Sequence, residues 1–387
     1  MSNSNSISST NMQINLFREQ ILAAAKNKIP LSIEGGGTKA WYGNANTFTK
    51  LDTRPYSGIL EYQPEELVIT ARAGTPLKEI EIALAEKNQI LAFEPPHFGE
   101  NATFGGAIAA GLAGPGRISA GNLRDFVLGA RIMDGKAQDL SFGGKVMKNV
   151  AGYDISRLLP GSLGTLSLLL EASVKVLPRP AATATLRCNI SQARALQLLN
   201  EWAGQPLPLS ASCWIGNSSS GDGELTIRLA GAAAAVKAAI PLMSAAVNAT
   251  ELDPVIAQAF WSNLREQQLP VFTSLKNDET LYRLALPAAC GPLTFENASD
   301  DIVLEWHGQQ RWMKAPGDDA TFASIKTLAN THGGHASRFK QGANIDSSKQ
   351  CFTLLSEQVH SAALELVQAR LRASFDPAGV FATGRLP

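Results

Sequence analysis

The chain has 387 residues, which is enough for two domains with sizeable hydrophobic cores. Apolar residues make up 45% and charged residues 18% of the sequence, a balance that excludes an intrinsically disordered protein. The 34 Lys and Arg residues equal the 34 Asp and Glu residues in number, so no polyanion-binding surface is indicated. An aromatic content of 7% argues against a stacking platform for single-stranded nucleic acid.

The four cysteines, Cys188, Cys213, Cys290 and Cys351, are widely separated and form no C-x-x-C pair. This spacing argues against an iron–sulfur cluster, a structural zinc site or a disulfide framework within the chain. The N-terminus carries no export signal, and no apolar stretch reaches the length of a bilayer span. We therefore expect no metal site, no transmembrane segment and a cytoplasmic location.

The first predicted elements are a tail, a helix and a strand. Residues 1–12 are rich in Ser and Asn and are expected to be a disordered tail. Ile14, Phe17 and Ile21 recur at helical spacing and predict an amphipathic helix over 13–27. A short strand at Leu31–Glu34 then leads directly into three consecutive glycines.

A second strand with a following helix is predicted further along. The strand is Leu67–Ala73, and the helix reaches to about Lys87. Thr75 is suited to the N-cap and Pro76 to the first helical position. A strand that is followed by a helix in this way is typical of an α/β layer.

Domain boundaries are predicted where the composition changes. Two prolines close a strand near residue 180, and beyond them strand-like runs alternate with an Ala-rich helix that is interrupted at Pro241. The predicted organisation is the tail, a cofactor domain, a cap domain and a C-terminal segment that returns to the cofactor domain, at residues 1–12, 13–180, 181–350 and 351–387.

Glycine is concentrated in the first half of the chain. Residues 31–164 hold 20 of the 33 glycines, in three segments that could contact one extended anionic ligand. The first segment is 34–39, where consecutive amides can form an anion-binding nest and Thr38 adds a hydroxyl donor. The second is 95–111, and the third runs from 148 to 166. We expect these stretches to lack side chains because a bulky phosphorylated ligand approaches the backbone there.

These glycine segments match two standard nucleotide-binding motifs only in part. Residues 35–40 fit G-x-G-x-x-A after a strand, but residues 41–46 are poor helix formers, and no acidic residue is clearly placed about 20 residues on. The P-loop pattern fails because Gly143-Gly144-Lys145 is followed by Val146. A P-loop nucleotidase is therefore disfavoured, and an NAD-binding protein that uses residues 35–40 stays as an alternative.

Several longer runs carry a family resemblance: residues 70–77, 93–100, 125–129, 146–154, 161–166 and 375–381, together with Gly384-Arg385. On these runs the chain resembles the vanillyl-alcohol-oxidase (PCMH-type) FAD-binding flavoproteins, and among them the FAD-binding E subunits of bacterial glycolate oxidases. The resemblance implies an α+β protein with a PCMH-type FAD-binding fold. Two α/β subdomains would clasp FAD, and an α+β cap domain would contain an antiparallel sheet.

The resemblance also implies cofactor-binding residues. These are Glu34, Gly35, Gly36, Gly37, Thr38, Lys39, Pro96, Gly99, Thr103, Gly105, Gly106, Ala109, Asp125, Gly161, Gly164 and Arg385. The first glycine loop lacks the His through which some relatives attach flavin, so non-covalent FAD is expected. Replacement of Gly36 by Asp is expected to abolish flavin retention by repelling the diphosphate.

No catalytic base is identified from the sequence. Oxidation of a 2-hydroxy acid needs a cation for the carboxylate and a base for the hydroxyl proton. The candidates are Arg311, His307 and Tyr153. The His-rich metal motif of the catalytic D subunits is missing, and His332-Gly333-Gly334-His335 is the nearest approach to it.

The function implied by the resemblance is that of the FAD-binding subunit of a glycolate oxidase complex, which passes electrons through flavin as glycolate is oxidised to glyoxylate. The implied partners are a catalytic FAD subunit and an iron–sulfur subunit, with peripheral membrane association through the complex, and a small 2-hydroxy acid if the chain turns over substrate itself. The alternatives are a non-catalytic FAD-binding assembly subunit and the NAD-binding protein. No nucleic-acid partner is expected.

Overall fold

The computed structural model describes the backbone of residues 2–144, 154–295, 301–346, 351–352 and 361–386. These residues form two lobes, each built around its own antiparallel sheet. The α+β class predicted from the sequence is confirmed.

The first lobe contains a two-stranded parallel sheet, β1 and β2, and a five-stranded antiparallel sheet in the order β3-β4-β8-β6-β7. The short strands β5 and β9 pair with each other. Its strands are β1 Leu31–Glu34, β2 Thr49–Asp52, β3 Ile59–Gln63, β4 Val68–Arg72, β5 Gln89–Ile90, β6 Val127–Met133, β7 Asp139–Gly143, β8 Leu168–Lys175 and β9 Leu177–Pro178. Its helices are α1 Ser2–Asn27, α2 Leu77–Glu86, α3 Phe104–Ala110, α4 Arg117–Ala120 and α5 Leu123–Phe126, with a 3-10 turn at Ile155–Leu158.

The second lobe is an eight-stranded antiparallel sheet in the order β13-β10-β12-β11-β15-β16-β14-β17. Its strands are β10 Ala182–Asn189, β11 Leu209–Asn217, β12 Gly223–Gly231, β13 Thr250–Glu251, β14 Glu279–Ala285, β15 Asp301–Glu305, β16 Gln310–Pro316 and β17 His335–Gln341. Its helices are α6 Gln192–Ala203, α7 Ala233–Val247, α8 Pro254–Arg265, α9 Pro270–Thr273 and α10 Asp319–Thr331, with a 3-10 turn at Trp306–Gly308. The last helix, α11, is Ser361–Phe375.

The N-terminal helix is longer than the sequence pattern indicated. Helix α1 begins at Ser2, so the residues expected to form a disordered tail continue the helix instead. Residues 2–12 contain neither Pro nor Gly, so no residue in them breaks a helix that the buried Ile14, Phe17 and Ile21 anchor to the first lobe.

Two local expectations in the helices need correction. Pro76 occupies the N-cap of α2, and the Thr75 hydroxyl donates to the Arg72 carbonyl instead of capping the helix. The Ala-rich region is one helix, α7, with Pro241 inside it, so the proline does not end the helix as expected.

The C-terminal segment after α11 packs against the first lobe. The backbone amide of Leu31 donates to the carbonyl of Val380 at 2.7 Å, and Val380 and Phe381 are buried in the same cluster as Phe17 and Ile21 of α1. The Asp376 carboxylate accepts the backbone amides of residues 380 and 381 and so fixes this turn. The chain therefore ends beside the loop that follows β1.

A separate buried cluster joins the two lobes. It brings Tyr42 and Leu112 of the first lobe together with Trp261, Trp312 and Phe339 of the second. The apolar contact fixes how the second lobe covers the first. No helix among the described residues is long and apolar enough to span a membrane.

Candidate functional site

A cleft in the first lobe is lined by residues of both of its sheets, such as Ile33 of β1 and Leu169 of β8, and we call it the glycine cleft. It encloses about 850 Å³ when the solvent-filled space at its open mouth is included. Its walls are the loop after β1, the start of α3, the turn that precedes β8, and Arg385 from the C-terminal segment. The three glycine segments that are separated in the sequence thus meet at one place.

The loop after β1 forms the first wall with almost no side chains. Gly37 has φ +71°, a conformation that favours glycine. A Cβ on Gly36 would overlap the backbone carbonyl of Asn101, because the loop lies directly against the segment that leads into α3. Part of the glycine requirement is therefore packing within the protein, and a ligand is not its whole cause. The Gly36→Asp substitution would disturb this packing before any charge repulsion acts.

Helix α3 forms the second wall. The Thr103 side chain is its N-cap and accepts from the Gly106 amide at 3.2 Å. The Gly105 amide donates to the Ala73 carbonyl at 2.8 Å, and a Cβ on Gly105 would lie 2.6 Å from that of Ala73. Small residues in α3 therefore allow it to lie flat on the end of β4, and Ala109 and Ala110 extend this surface along the cleft.

The turn before β8 forms the third wall. Leu163 and Gly164 both have positive φ, and the Leu163 amide donates to the Ala109 carbonyl at 2.9 Å, which ties the turn to α3. Ser167 also lines the cleft; it is only 3% exposed, and its hydroxyl oxygen has no hydrogen-bond partner within the described part of the chain. A buried hydroxyl that lacks a partner at a cavity wall is satisfied when a polar ligand occupies the cavity.

Two cations line the cleft. The Lys39 ammonium donates to the His97 carbonyl at 3.1 Å, and burial lowers the pKa of Lys39 to about 8, against the opposing effect of Glu266. The Arg385 guanidinium donates to the carbonyls of Lys39 at 2.7 Å and Tyr42 at 3.0 Å, and burial lowers its pKa as well. Both cations therefore lie beside the glycine loop, where an anionic ligand would contact backbone amides that no side chain covers.

Comparison with known proteins agrees with this arrangement. Residues 17–141 match the family described as FAD binding domain. Glycolate oxidase subunit GlcE of Escherichia coli (strain K12) is 45% identical over 368 residues, which cover 95% of each chain. The chain belongs to the GlcE family of FAD-binding proteins. The family resemblance and the cofactor expected from the sequence, FAD, are thereby confirmed.

Other relatives match only part of the chain. Glycolate oxidase subunit GlcD of Bacillus subtilis (strain 168) is 31% identical over 42% of this chain and 35% of its own. A D-lactate dehydrogenase of Archaeoglobus fulgidus is 33% identical over 40% of this chain and 35% of its own. The solved structure of an alkyldihydroxyacetonephosphate synthase superposes with a TM-score of 0.63 at 15% identity, over 94% of this chain and 74% of that one. The last similarity concerns the fold alone, and the expected PCMH-type fold is confirmed.

Most of the cofactor-binding residues predicted from the sequence line the glycine cleft. They are Glu34, Gly35, Gly36, Gly37, Thr38, Lys39, Thr103, Gly105, Gly106, Ala109, Gly164 and Arg385. Their contact with FAD stays a prediction. The chemistry of this set fits the cofactor: two cations and a glycine loop suit a diphosphate, and the Ser167 hydroxyl offers one further polar contact.

Four predicted residues do not line the cleft. Pro96 lines a second cavity, between the two lobes, and Gly99 packs behind the wall, where its Cβ position is 3.2 Å from the Thr38 side chain. The Asp125 carboxylate accepts the Asn122 amide at 3.0 Å in a capping box of α5. Gly161 has φ +84°, and its backbone amide donates a hydrogen bond to the Ile108 carbonyl at 3.2 Å, which supports the third wall from behind.

The sequence motifs do not indicate several residues of the cleft. These are Ile33, Ala40, Thr53, Ala73, Ala110, Leu159, Ser162, Leu163, Ser167 and Leu169. They lie at strand ends or beside the recognised motifs. Ser162 lies within Gly161–Gly164 and Ser167 lies shortly after it, which is the sequence signal for these two residues. Nothing local in the sequence indicates which of these residues faces the cavity.

The proposed catalytic candidates have other roles or lie outside the described residues. Arg311 is 2% exposed and donates to the carbonyls of Gly308, Gly291 and Cys290 at 3.1, 2.8 and 2.6 Å, so its guanidinium holds the second lobe together. Burial lowers the pKa of His307 to about 4, and this residue lines neither cavity. Tyr153 falls outside the described residues, as do Lys148 and Asn149. In the described ranges no group of three or more His, Cys, Asp or Glu could hold a metal ion.

Proposed function

We propose that the chain is the FAD-carrying subunit of a glycolate oxidase complex and takes part in the oxidation of glycolate to glyoxylate. The observation that carries this proposal is the 45% identity to the GlcE subunit of Escherichia coli over 95% of each chain. The cleft agrees with it, because its walls are the segments expected to bind FAD. Glycolate loses two electrons and two protons in that reaction. When bound, FAD supplies an acceptor for two electrons.

The residues of the glycine cleft would hold the cofactor in distinct ways. The amides of Gly35, Gly36 and Gly37 and the charges of Lys39 and Arg385 would bind the diphosphate. Helix α3 would give the cofactor a flat surface without long side chains. The Arg385 guanidinium also ties the C-terminal segment to the glycine loop, so the loop is held in place before the cofactor binds.

The proposed partners are a catalytic FAD subunit and an iron–sulfur subunit. The partial similarity to a GlcD subunit supports the first, because two related chains of one complex are expected to share the cofactor domain. The family resemblance implies the second, and the four widely spaced cysteines argue against an iron–sulfur cluster within this chain itself. We place the complex in the cytoplasm, peripherally associated with the membrane through its other subunits.

The alternatives are affected differently by the structure. Residues 35–48 contain no helix after the glycine loop, so the helix N-terminus that an NAD-binding βαβ unit needs is missing from this described segment. Arg311 and His307, two of the candidate catalytic residues, are both buried within the second lobe. Their burial favours the alternative of a non-catalytic assembly subunit. This alternative also predicts bound flavin, but without glycolate-dependent reduction.

Purification of the full chain tests both levels of the proposal. Flavin absorbance at one equivalent per chain is expected, and a chain that takes up no FAD under any loading condition contradicts the proposal. Glycolate-dependent dye reduction by the assembled complex is then measured with and without this chain. Loss of reduction without it supports a redox role; unchanged reduction in a complex that lacks this chain contradicts it.

A further inference from the structure

A carboxylate of the second lobe binds backbone amides of the first lobe, close to the glycine cleft. Glu266 is the C-cap residue of helix α8, and 16% of its side chain is exposed. Its two oxygens accept the backbone amide of His97 at 3.1 and 3.2 Å, and its Oε2 atom also accepts that of Phe98 at 2.7 Å. One side chain of the second lobe therefore fixes a short backbone segment of the first.

The peptide group between His97 and Phe98 is bound at both ends. Its N–H, which belongs to Phe98, donates to Glu266. Its carbonyl, which belongs to His97, accepts the Thr38 hydroxyl at 2.7 Å and the Lys39 ammonium at 3.1 Å. The N–H and C=O of a trans peptide point in opposite directions. A carboxylate at one end and an ammonium at the other therefore hold this peptide in one orientation.

The backbone is strained at the same place. Phe98 has φ +53°, in a region that residues with side chains rarely adopt, and Gly99 follows at φ +138°. Rotation of the 97–98 peptide would return φ of Phe98 to negative values, but it would also turn the His97 carbonyl away from its two donors. Strain of this kind persists only where the surrounding structure holds the backbone in place. The bonds to Glu266 oppose the rotation.

The two donors to the His97 carbonyl are residues of the cofactor cleft. Thr38 and Lys39 both line the glycine cleft. An ammonium has three N–H donors, so the bond to His97 leaves Lys39 with donors for an anion. A side chain that is held in place before binding loses less conformational entropy when the ligand arrives. The orientation of the 97–98 peptide therefore bears directly on how tightly an anion is bound.

Glu266 belongs to a small group of charges at the boundary between the lobes. The Arg265 guanidinium donates to its Oε1 atom at 2.8 Å and lies 3.8 Å from the Glu81 carboxylate of α2. Glu81 in turn lies 3.1 Å from the His97 imidazole. Glu81 thus contacts side chains of this group, whereas Glu266 holds the backbone amides. The difference makes Glu81 a matched control for Glu266.

Charged groups from several elements surround Lys39. Glu34 and Arg385 line the same cleft, and Lys340 of β17 packs over an aromatic ring of the same loop. Glu266 is the acid whose charge raises the pKa of Lys39 and so opposes the effect of burial. Removal of the charge of Glu266 is therefore expected to lower the pKa of Lys39 further.

We propose that Glu266 is a positioning residue for the cofactor: by holding the 97–98 peptide it keeps Thr38 and Lys39 in place for the FAD diphosphate. FAD affinity then depends on the contact between the two lobes, because Glu266 belongs to the second lobe and does not itself line the glycine cleft. The inference rests on the proposed placement of the diphosphate at the glycine loop. It adds a residue that is 169 positions from His97 in the sequence.

The test is a fluorescence titration of the full, cofactor-free chain with FAD at pH 6, 7, 8 and 9. Glu266→Gln keeps the side-chain length but removes the charge and one acceptor oxygen, and it is expected to weaken FAD binding about tenfold or more. Its affinity should also begin to fall at a lower pH than that of the wild type, because Lys39 with a lower pKa loses its proton earlier. Glu81→Gln is expected to keep the wild-type affinity and pH profile.

Each outcome bears on the inference. Weaker binding with a shifted pH profile in Glu266→Gln, and neither change in Glu81→Gln, supports it. Glu266→Asp keeps the charge and should show the wild-type pH profile with intermediate affinity, which preserves the test if Glu266→Gln folds poorly. Wild-type affinity in folded Glu266→Gln, weaker binding with an unshifted pH profile, or the same losses in Glu81→Gln overturns the inference.

The wild-type titration separates this inference from the proposed function. A wild-type chain that binds one equivalent of FAD, beside a Glu266→Gln variant with the same affinity and pH profile, contradicts the role of Glu266 and leaves the proposed function intact. A wild-type chain that takes up no FAD contradicts both.

Discussion

Replacement of Lys39 by methionine removes one of the two cations that line the glycine cleft while it keeps a side chain of similar length. If Lys39 binds the FAD diphosphate, loss of one charge-assisted contact is expected to weaken FAD binding by about 1.5 kcal/mol or more, which is about tenfold in Kd. Arg385 keeps its contacts to the loop carbonyls, so the loop itself should stay folded.

The same lysine predicts a pH dependence for FAD binding. Burial lowers the pKa of Lys39 to about 8 in the cofactor-free protein, and an adjacent diphosphate would raise it again. For a cation whose pKa rises on binding, the contribution is fully present below the pKa of the free protein and is lost as pH increases from that value to the higher pKa of the complex. The protonated fraction falls from about 0.9 at pH 7 to about 0.1 at pH 9, so Kd should rise up to about tenfold over this range.

Fluorescence titration with FAD at pH 7, 8 and 9 measures this effect. Lys39→Arg stays charged throughout and should show little change in Kd, and Lys39→Met should bind weakly at every pH. A wild-type Kd that is flat from pH 7 to pH 9, or that changes in parallel with the methionine variant, would refute the assignment of Lys39 to the diphosphate.

Further substitutions test the other walls of the cleft. Ala40→Glu adds a negative charge at an exposed lining position and should weaken FAD binding about fivefold, relative to the neutral control Ala40→Gln, without lowering Tm; equal Kd values for the two would contradict it. Ser167→Ala removes a buried hydroxyl that has no hydrogen-bond partner among the residues that the structure describes, so the cofactor-free protein should keep or gain stability, by about 1 kcal/mol, while FAD affinity falls; unchanged affinity would show that the hydroxyl does not meet the cofactor. Gly36→Ala should lose FAD almost as completely as Gly36→Asp, because the added Cβ overlaps the Asn101 carbonyl in both; normal FAD retention by the alanine variant would restore charge repulsion as the cause. Arg311→Met leaves three carbonyls without their donor and should lower the free energy of unfolding by about 3 kcal/mol; a thermal melt unchanged from wild type would reopen a binding role for Arg311.

Much of the cleft could be predicted because its signals are local. The bare loop at 35–37 and the small residues of α3 leave a trace in the composition of short segments, and the long matching runs identified the family. Helix and strand patterns follow from side-chain periodicity, which is also read from neighbouring residues. The order of elements and the class of cofactor were therefore available from the sequence.

The tertiary structure decided which residues face a cavity. Gly36 lies against Asn101, Ser167 reaches the cleft from the start of β8, and Arg385 contacts Lys39 across 346 positions of the chain. Arg311 is a candidate substrate ligand by its residue type, but its guanidinium donates to backbone carbonyls inside the second lobe. Composition and periodicity report on neighbours along the chain, whereas the direction of a side chain depends on contacts between distant segments, and those contacts exist only once the chain has folded.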